Sequence, residues 1–254
     1  MNEEFYIGWE GKAAPGIHKL IRWVVVLLLI VTTVMALALA AAQRSIGVSI
    51  FEWGTVKTFS GILQTEPYPH LLVPRPGETD ANDGFSTYYL VAPFKFGLDR
   101  EKLSALDGKT VSLRGTLIFR GNQTMVEALP DSIKVAGRQL PSLPAADTLE
   151  LGRQTLNGEI VDSKCFFGVM NPGQLLPHRA CAIRCISGGI PPVFLVRQTS
   201  GAALYLLLVS SDGKPVNQQI LDFVAEPLQI TGEVGRQGGL LILRADPATY
   251  RRIN

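Results

Sequence analysis

Cysteine is scarce. The sequence has three, an odd number, so a framework of paired disulfides would leave one thiol over. There are also only three histidines. No C-x-x-C occurs, which removes both the thiol-oxidoreductase motif and the C-x-x-C-H of covalent haem attachment. Charge of one sign is missing too: 24 Lys and Arg stand against 22 Asp and Glu, with no basic stripe, so no nucleic-acid partner is expected. No Ser–His–Asp set, carboxylate pair or phosphate-binding glycine loop stands out. Charged residues make up 18% against 46% hydrophobic, and a single segment carries much of that apolar excess.

That segment is Trp23 to Gln43, which holds no charged residue and is flanked by Lys19, Arg22 and Arg44. About 20 helical residues cover about 30 Å, the thickness of a hydrocarbon core. A transmembrane helix over 20–43 is expected, in contact with membrane lipid. The run ALALAAAQ would suit a signal peptidase, but the apolar stretch is too long for a signal h-region and the tail before it is long. Lys12, Lys19 and Arg22 outnumber Arg44 and Lys57, so the amino terminus is expected in the cytoplasm.

After the helix the pattern becomes short strands: Lys57–Thr65, His70–Val73 and Ser86–Ala92. Asp99–Leu106 reads as a short helix with Asp99 as N-cap, ended by Gly108. Lys109–Arg120 and Gln123–Ala128 form a hairpin around Gly121-Asn122. Three strands, a helix and two strands is the order of an oligonucleotide/oligosaccharide-binding (OB) barrel. Gln139–Asp147 is a Pro-containing linker, after which the pattern recurs. Gly61 corresponds to Gly158, and Gly115 to Gly232. Strands are expected at Val193–Arg197, Ala203–Ser210, Ile220–Val224, Leu228–Val234 and Leu240–Arg244. The predicted class is mainly β: one N-terminal transmembrane helix followed by two tandem OB-like β-barrels. The divisions are a tail at 1–19, the helix at 20–43, a first OB-like domain at 53–138 and a second at 148–254.

The copies differ at one place. About ten residues separate Gly61 from the strand near Leu71, but about thirty-six separate Gly158 from the strand near Phe194. The extra chain, residues 162–192, holds all three cysteines and His178 in the spacing C-x12-H-x2-C-x3-C. His178, Cys181 and Cys185 share one face if helical, and Cys165 comes from a Gly/Pro-rich turn before them. Three chemistries fit. Cys165, His178, Cys181 and Cys185 can bind zinc or another metal ion tetrahedrally. Alternatively Cys165 pairs with Cys181 or Cys185 as a disulfide. In the third, one cysteine is a reactive thiol, with Lys164, Arg179 and Arg184 as cations that lower its pKa. Gly188-Gly189 and Pro191-Pro192 end the helix. His18 and His70 carry no site signal.

The pattern of Asp162, Ser163, Cys165, His178, Cys181, Cys185, Gly188, Gly189 and Pro191 resembles a group of uncharacterised bacterial membrane-anchored or exported proteins with D-S-x-C, H-x-x-C-x-x-x-C and a Gly/Pro exit into a strand. The tail FYIGWEGKAAP resembles those of small subunits in bacterial membrane redox assemblies. The resemblance implies a bacterial inner-membrane protein with its carboxyl-terminal domains in the periplasm. The function expected is that of a non-catalytic accessory or assembly subunit of a membrane complex, respiratory or otherwise redox, partnered by other membrane subunits. The alternatives are a periplasmic thiol redox or metal-carrying protein, and an OB-type ligand-binding module.

Overall fold

The computed structural model describes residues 14–43, 48–75, 84–137, 140, 148–197, 203–237 and 239–253. The tail aromatics Phe5, Tyr6 and Trp9, the loop over 78–83 and most of the 139–147 linker fall outside the described residues.

Helix α1, Pro15–Gln43, is one continuous apolar helix of 29 residues, long enough at about 43 Å to cross a membrane. It begins five residues before the expected boundary at 20, with Pro15 in the first turn, where a missing N–H costs nothing. Thr32 and Thr33 donate their hydroxyls to the carbonyls of Leu28 and Leu29, so the helix's own backbone satisfies its polar side chains.

Residues 48–254 form a separate compact unit of two closed barrels. The first comprises β1 (Ser49–Gln64), β2 (His70–Pro74), β3 (Phe85–Val91), β4 (Thr110–Arg120) and β5 (Gln123–Ala128), with a short edge strand β6 (Lys134–Val135). Its strand order is β1-β2-β3-β5-β4, and β4 pairs back on β1 to close it. Between β3 and β4 lies α2 (Arg100–Leu103), followed by a 3-10 turn at Ser104–Leu106. The Asp99 carboxylate accepts the N–H groups of Glu101 and Lys102, as its N-cap reading requires.

The second barrel repeats this plan. It comprises β7 (Thr148–Asp162), β8 (Pro192–Arg197), β9 (Ala203–Val209), β10 (Leu228–Gln237) and β11 (Leu240–Arg244), with an edge strand β12 (Arg251–Arg252). The order is β7-β8-β9-β11-β10, closed by β10 on β7. In both barrels the third and fifth strands pair in parallel. A Cβ at Gly61 or at Gly158 would lie 2.5 or 2.3 Å from a carbonyl of the next strand, so both glycines sit where the sheet curves tightly.

One expected strand is absent. Leu221–Phe223 is a 3-10 turn, with Ile220 and Val224 buried on either side. It occupies the place that α2 holds in the first barrel. A short apolar run has no period that separates a buried strand from a helical turn.

Each barrel has its own apolar core, around Leu63, Leu90 and Leu113 in the first and Phe194, Leu208 and Leu228 in the second. A third cluster spans the seam. Tyr89, Ile118 and Met125 of the first barrel pack there with Phe166, Phe167 and Leu207 of the second. The cysteine segment lies at this seam.

Candidate metal centre at the barrel seam

The segment leaves β7 at Asp162 and returns to the sheet at Pro192, so it replaces the short connection between the first two strands of a barrel. Ser163 ties its two ends together: the Ser163 N–H and hydroxyl both donate to the Pro191 carbonyl, at 3.3 and 2.7 Å. Cys165–Val169 form a wide π-type turn, Leu176–His178 a 3-10 turn, and α3 spans Arg179–Ser187. His178 is therefore not in the helix body but at its N-cap position, with Cys181 and Cys185 one and two turns on. At the far end Asn217 donates to the carbonyls of Ile186 and Ile190, at 2.8 and 2.9 Å, and pins the helix exit.

All three cysteines are free thiols, so the disulfide of Cys165 with Cys181 or Cys185 is not formed. The Cys165 Sγ lies 3.9 Å from the Sγ of Cys181 and 3.9 Å from that of Cys185. A disulfide needs about 2.05 Å. Two sulfurs bound to one tetrahedral ion at about 2.3 Å each stand about 3.8 Å apart. The donor atoms of Cys165, His178 and Cys181 lie within 4.8 Å of one another, as do those of Asp162, Cys165 and Cys185. The two triads share Cys165. These groups can hold a metal ion.

Asp162 organises the set. It is fully buried; its Oδ1 accepts the Cys165 N–H at 2.8 Å and its Oδ2 stands 2.9 Å from His178 Nε2. With Nε2–H donating to the carboxylate, Nδ1 presents its lone pair for an ion. A carboxylate that orients a ligand histidine in this way is a general feature of metal sites.

The cation at the thiols is one that sequence spacing did not suggest. Lys95, in the loop after β3 of the first barrel, places Nζ 2.7 Å from the Cys181 sulfur and 3.7 Å from that of Cys185. The contact with Cys181 and the charge on the neighbouring sulfurs hold the Lys95 ammonium above its usual pKa range. Among the thiols, hydrogen bonding to Cys185 and burial push Cys165 up, so it keeps its proton, while Cys185, accepting from Cys165 and facing Lys95, is pushed down.

The three cations expected near the thiols turn elsewhere. Lys164 donates to the carbonyls of Ala92 and Phe94, at 2.8 and 2.6 Å, and pairs with Glu127. Arg179 pairs with Glu226, and Arg184 lies 5.9 Å from the Phe96 ring centre. A residue's neighbours in sequence point away from it in a turn, which is why adjacency misled. His70 is buried in β2 with Nδ1 at 2.9 Å from the Tyr68 carbonyl, and His18 lies on α1; neither belongs to the cluster.

The glycine pair has a role beyond ending α3. The Gly97 N–H donates to the Gly188 carbonyl at 2.9 Å across the seam. A Cβ at Gly188 would stand 2.0 Å from the Lys95 carbonyl, and one at Gly97 would stand 2.2 Å from that of Gly189. Only glycines allow the Lys95 loop to lie on the helix exit.

No protein-family model matches the chain and no curated protein matches it, which leaves geometry and donor chemistry to define the site.

Proposed function

We propose that the protein is a membrane-anchored, non-catalytic accessory or assembly subunit of a bacterial membrane complex, with a Cys3His zinc centre at the seam of its two barrels. The observation that carries this reading is the Cys165 sulfur 3.9 Å from two further sulfurs, beside a histidine oriented by a buried carboxylate. The donors fall in two triads, Cys165 with His178 and Cys181, and Cys165 with Asp162 and Cys185. A Cys3His site drawn from them would leave no coordination position for substrate, the mark of a structural rather than a catalytic zinc. The apolar helix supports attachment to the inner membrane. Periplasmic barrels and a redox or respiratory partner follow from the charge bias at the helix and from the tail resemblance.

The test is metal content and free-thiol count on the detergent-purified full chain. About one equivalent of zinc, lost on His178→Ala, supports the centre. Co-purification with other membrane proteins under mild detergent supports the subunit role, and isolation as a lone monomer counts against it. A second reading, a thiol redox protein, is favoured by the half-buried Cys181 sulfur against Lys95. It requires metal-free protein whose thiols oxidise reversibly and whose behaviour is indifferent to His178→Ala.

A further inference from the structure

We propose that Lys95 is a fixed, non-ligating member of the metal centre: an ammonium supplied by the first barrel to the thiolates of the second when a divalent ion is bound. The inference rests on the metal reading above and extends it to a residue of the other barrel.

The charge balance requires a cation. A divalent ion with three thiolates and a neutral imidazole carries one net negative charge. The buried Asp162 carboxylate adds another. Uncompensated charge in such a place is costly. Lys164 cannot help, since its ammonium is matched by Glu127 and two carbonyls. Arg179 pairs with Glu226, and Arg184 lies 5.9 Å from the Phe96 ring centre; among the described residues neither donates to a sulfur. Lys95 is the ammonium in contact with the sulfurs, at 2.7 and 3.7 Å.

Its placement is built, not incidental. The loop that carries it is gripped on both sides: Lys164 holds the carbonyls of Ala92 and Phe94, and Gly97 bonds to Gly188. At the first of those grips Phe94 adopts a left-handed φ of 61° and leaves its ring 83% exposed. A bulky residue holds that conformation only where its surroundings over-determine it, and such strain collects at functional sites. The backbone accepts strain and an exposed ring while the next side chain reaches the thiols. An ammonium beside bound thiolates offsets the net negative charge of the loaded site and disfavours protonation of the sulfurs, which favours retention of the ion, and by lowering their basicity it blunts them as nucleophiles.

The experiment uses the full chain in detergent, loaded with Co(II), whose thiolate absorption reports the ligand set. Wild type, Lys95→Met and Lys95→Arg are titrated against a competing chelator and then alkylated, with the modified cysteine mapped by mass spectrometry. In Lys95→Met the Co(II) affinity is expected to fall about 10–100-fold with the absorption envelope kept, because no ligand is removed. In the Co(II)-loaded state Cys181 should be alkylated faster in Lys95→Met than in wild type, and Lys95→Arg should restore most of both properties. Should Lys95→Met lose cooperative unfolding, Lys95→Gln takes its place. Unchanged affinity and alkylation in the neutral variants would overturn the proposal, as would an equal loss in Lys95→Arg, which would make the loop's packing responsible. Failure of the wild type to take up Co(II) would instead sink the metal reading itself.

Discussion

Lys164 in the second barrel and Glu127 in the first form a buried ion pair across the seam, Nζ to Oε2 2.5 Å, with the lysine only 2% exposed. Lys95 crosses the same seam in the other direction. The barrels thus exchange lysines, one locking a loop and the other touching the thiols, at the seam where the shared apolar cluster packs.

The Lys164 pair is expected to matter more for stability than any surface ion pair. Removing one partner of a buried pair leaves the other charged and desolvated, which costs about 3–5 kcal/mol. Lys164→Met should therefore lower the denaturant midpoint of the soluble unit sharply, and Glu127→Gln added to it should recover part of the loss. Lys102→Met, which breaks an exposed pair with Asp99, should leave the midpoint nearly unchanged, because solvent screens such a pair. Equal midpoints for Lys164→Met and Lys102→Met would refute the assignment.

Asp162 should control the ion without being consumed in folding. Asp162→Asn keeps an oxygen for the Cys165 N–H but loses the carboxylate that orients His178. Metal affinity is expected to fall about 10–100-fold, measured by chelator competition, with all three thiols still titratable. No change in affinity would mean that His178 does not need its carboxylate partner, and the orientation argument would fail.

Much of this architecture was legible from residue patterns. Alternating strands, the Gly121-Asn122 turn, the Asp99 cap and the paired glycines Gly61/Gly158 and Gly115/Gly232 are local signals, and the repeat reinforced them. Leu221–Phe223 was misread because an apolar run of that length fits either state. At the site, spacing brought out the cysteines and His178, since these sit close in sequence. Asp162 stood in the motif without a role, because only the fold shows that its carboxylate reaches both Cys165 and His178. Lys95 left no trace: it meets Cys181 across 86 residues of sequence, through the packing of one barrel on another. Contacts of that kind are a property of the docked pair, and one-dimensional pattern cannot carry them.

His70 offers a pH test of the first barrel, away from the metal centre. It is buried in β2 between Gln64 of β1 and Tyr89 of β3, and burial, opposed by its bond to the Tyr68 carbonyl and by Asp107, holds its pKa below the usual histidine value. The folded state thus keeps the ring neutral where the unfolded chain takes up a proton, near pH 6.5. More protons on the unfolded state at low pH means that stability rises with pH. The contribution is complete above the unfolded pKa and is lost as pH falls below about 6.5, by up to about 1.4 kcal/mol per pH unit until the folded pKa is reached. Denaturant midpoints of wild type and His70→Gln, compared between about pH 7.5 and 5.5, should diverge in slope, with the variant less stable at the upper end but flatter. Parallel curves would show that His70 titrates alike in both states, and the burial argument for this strand would be lost.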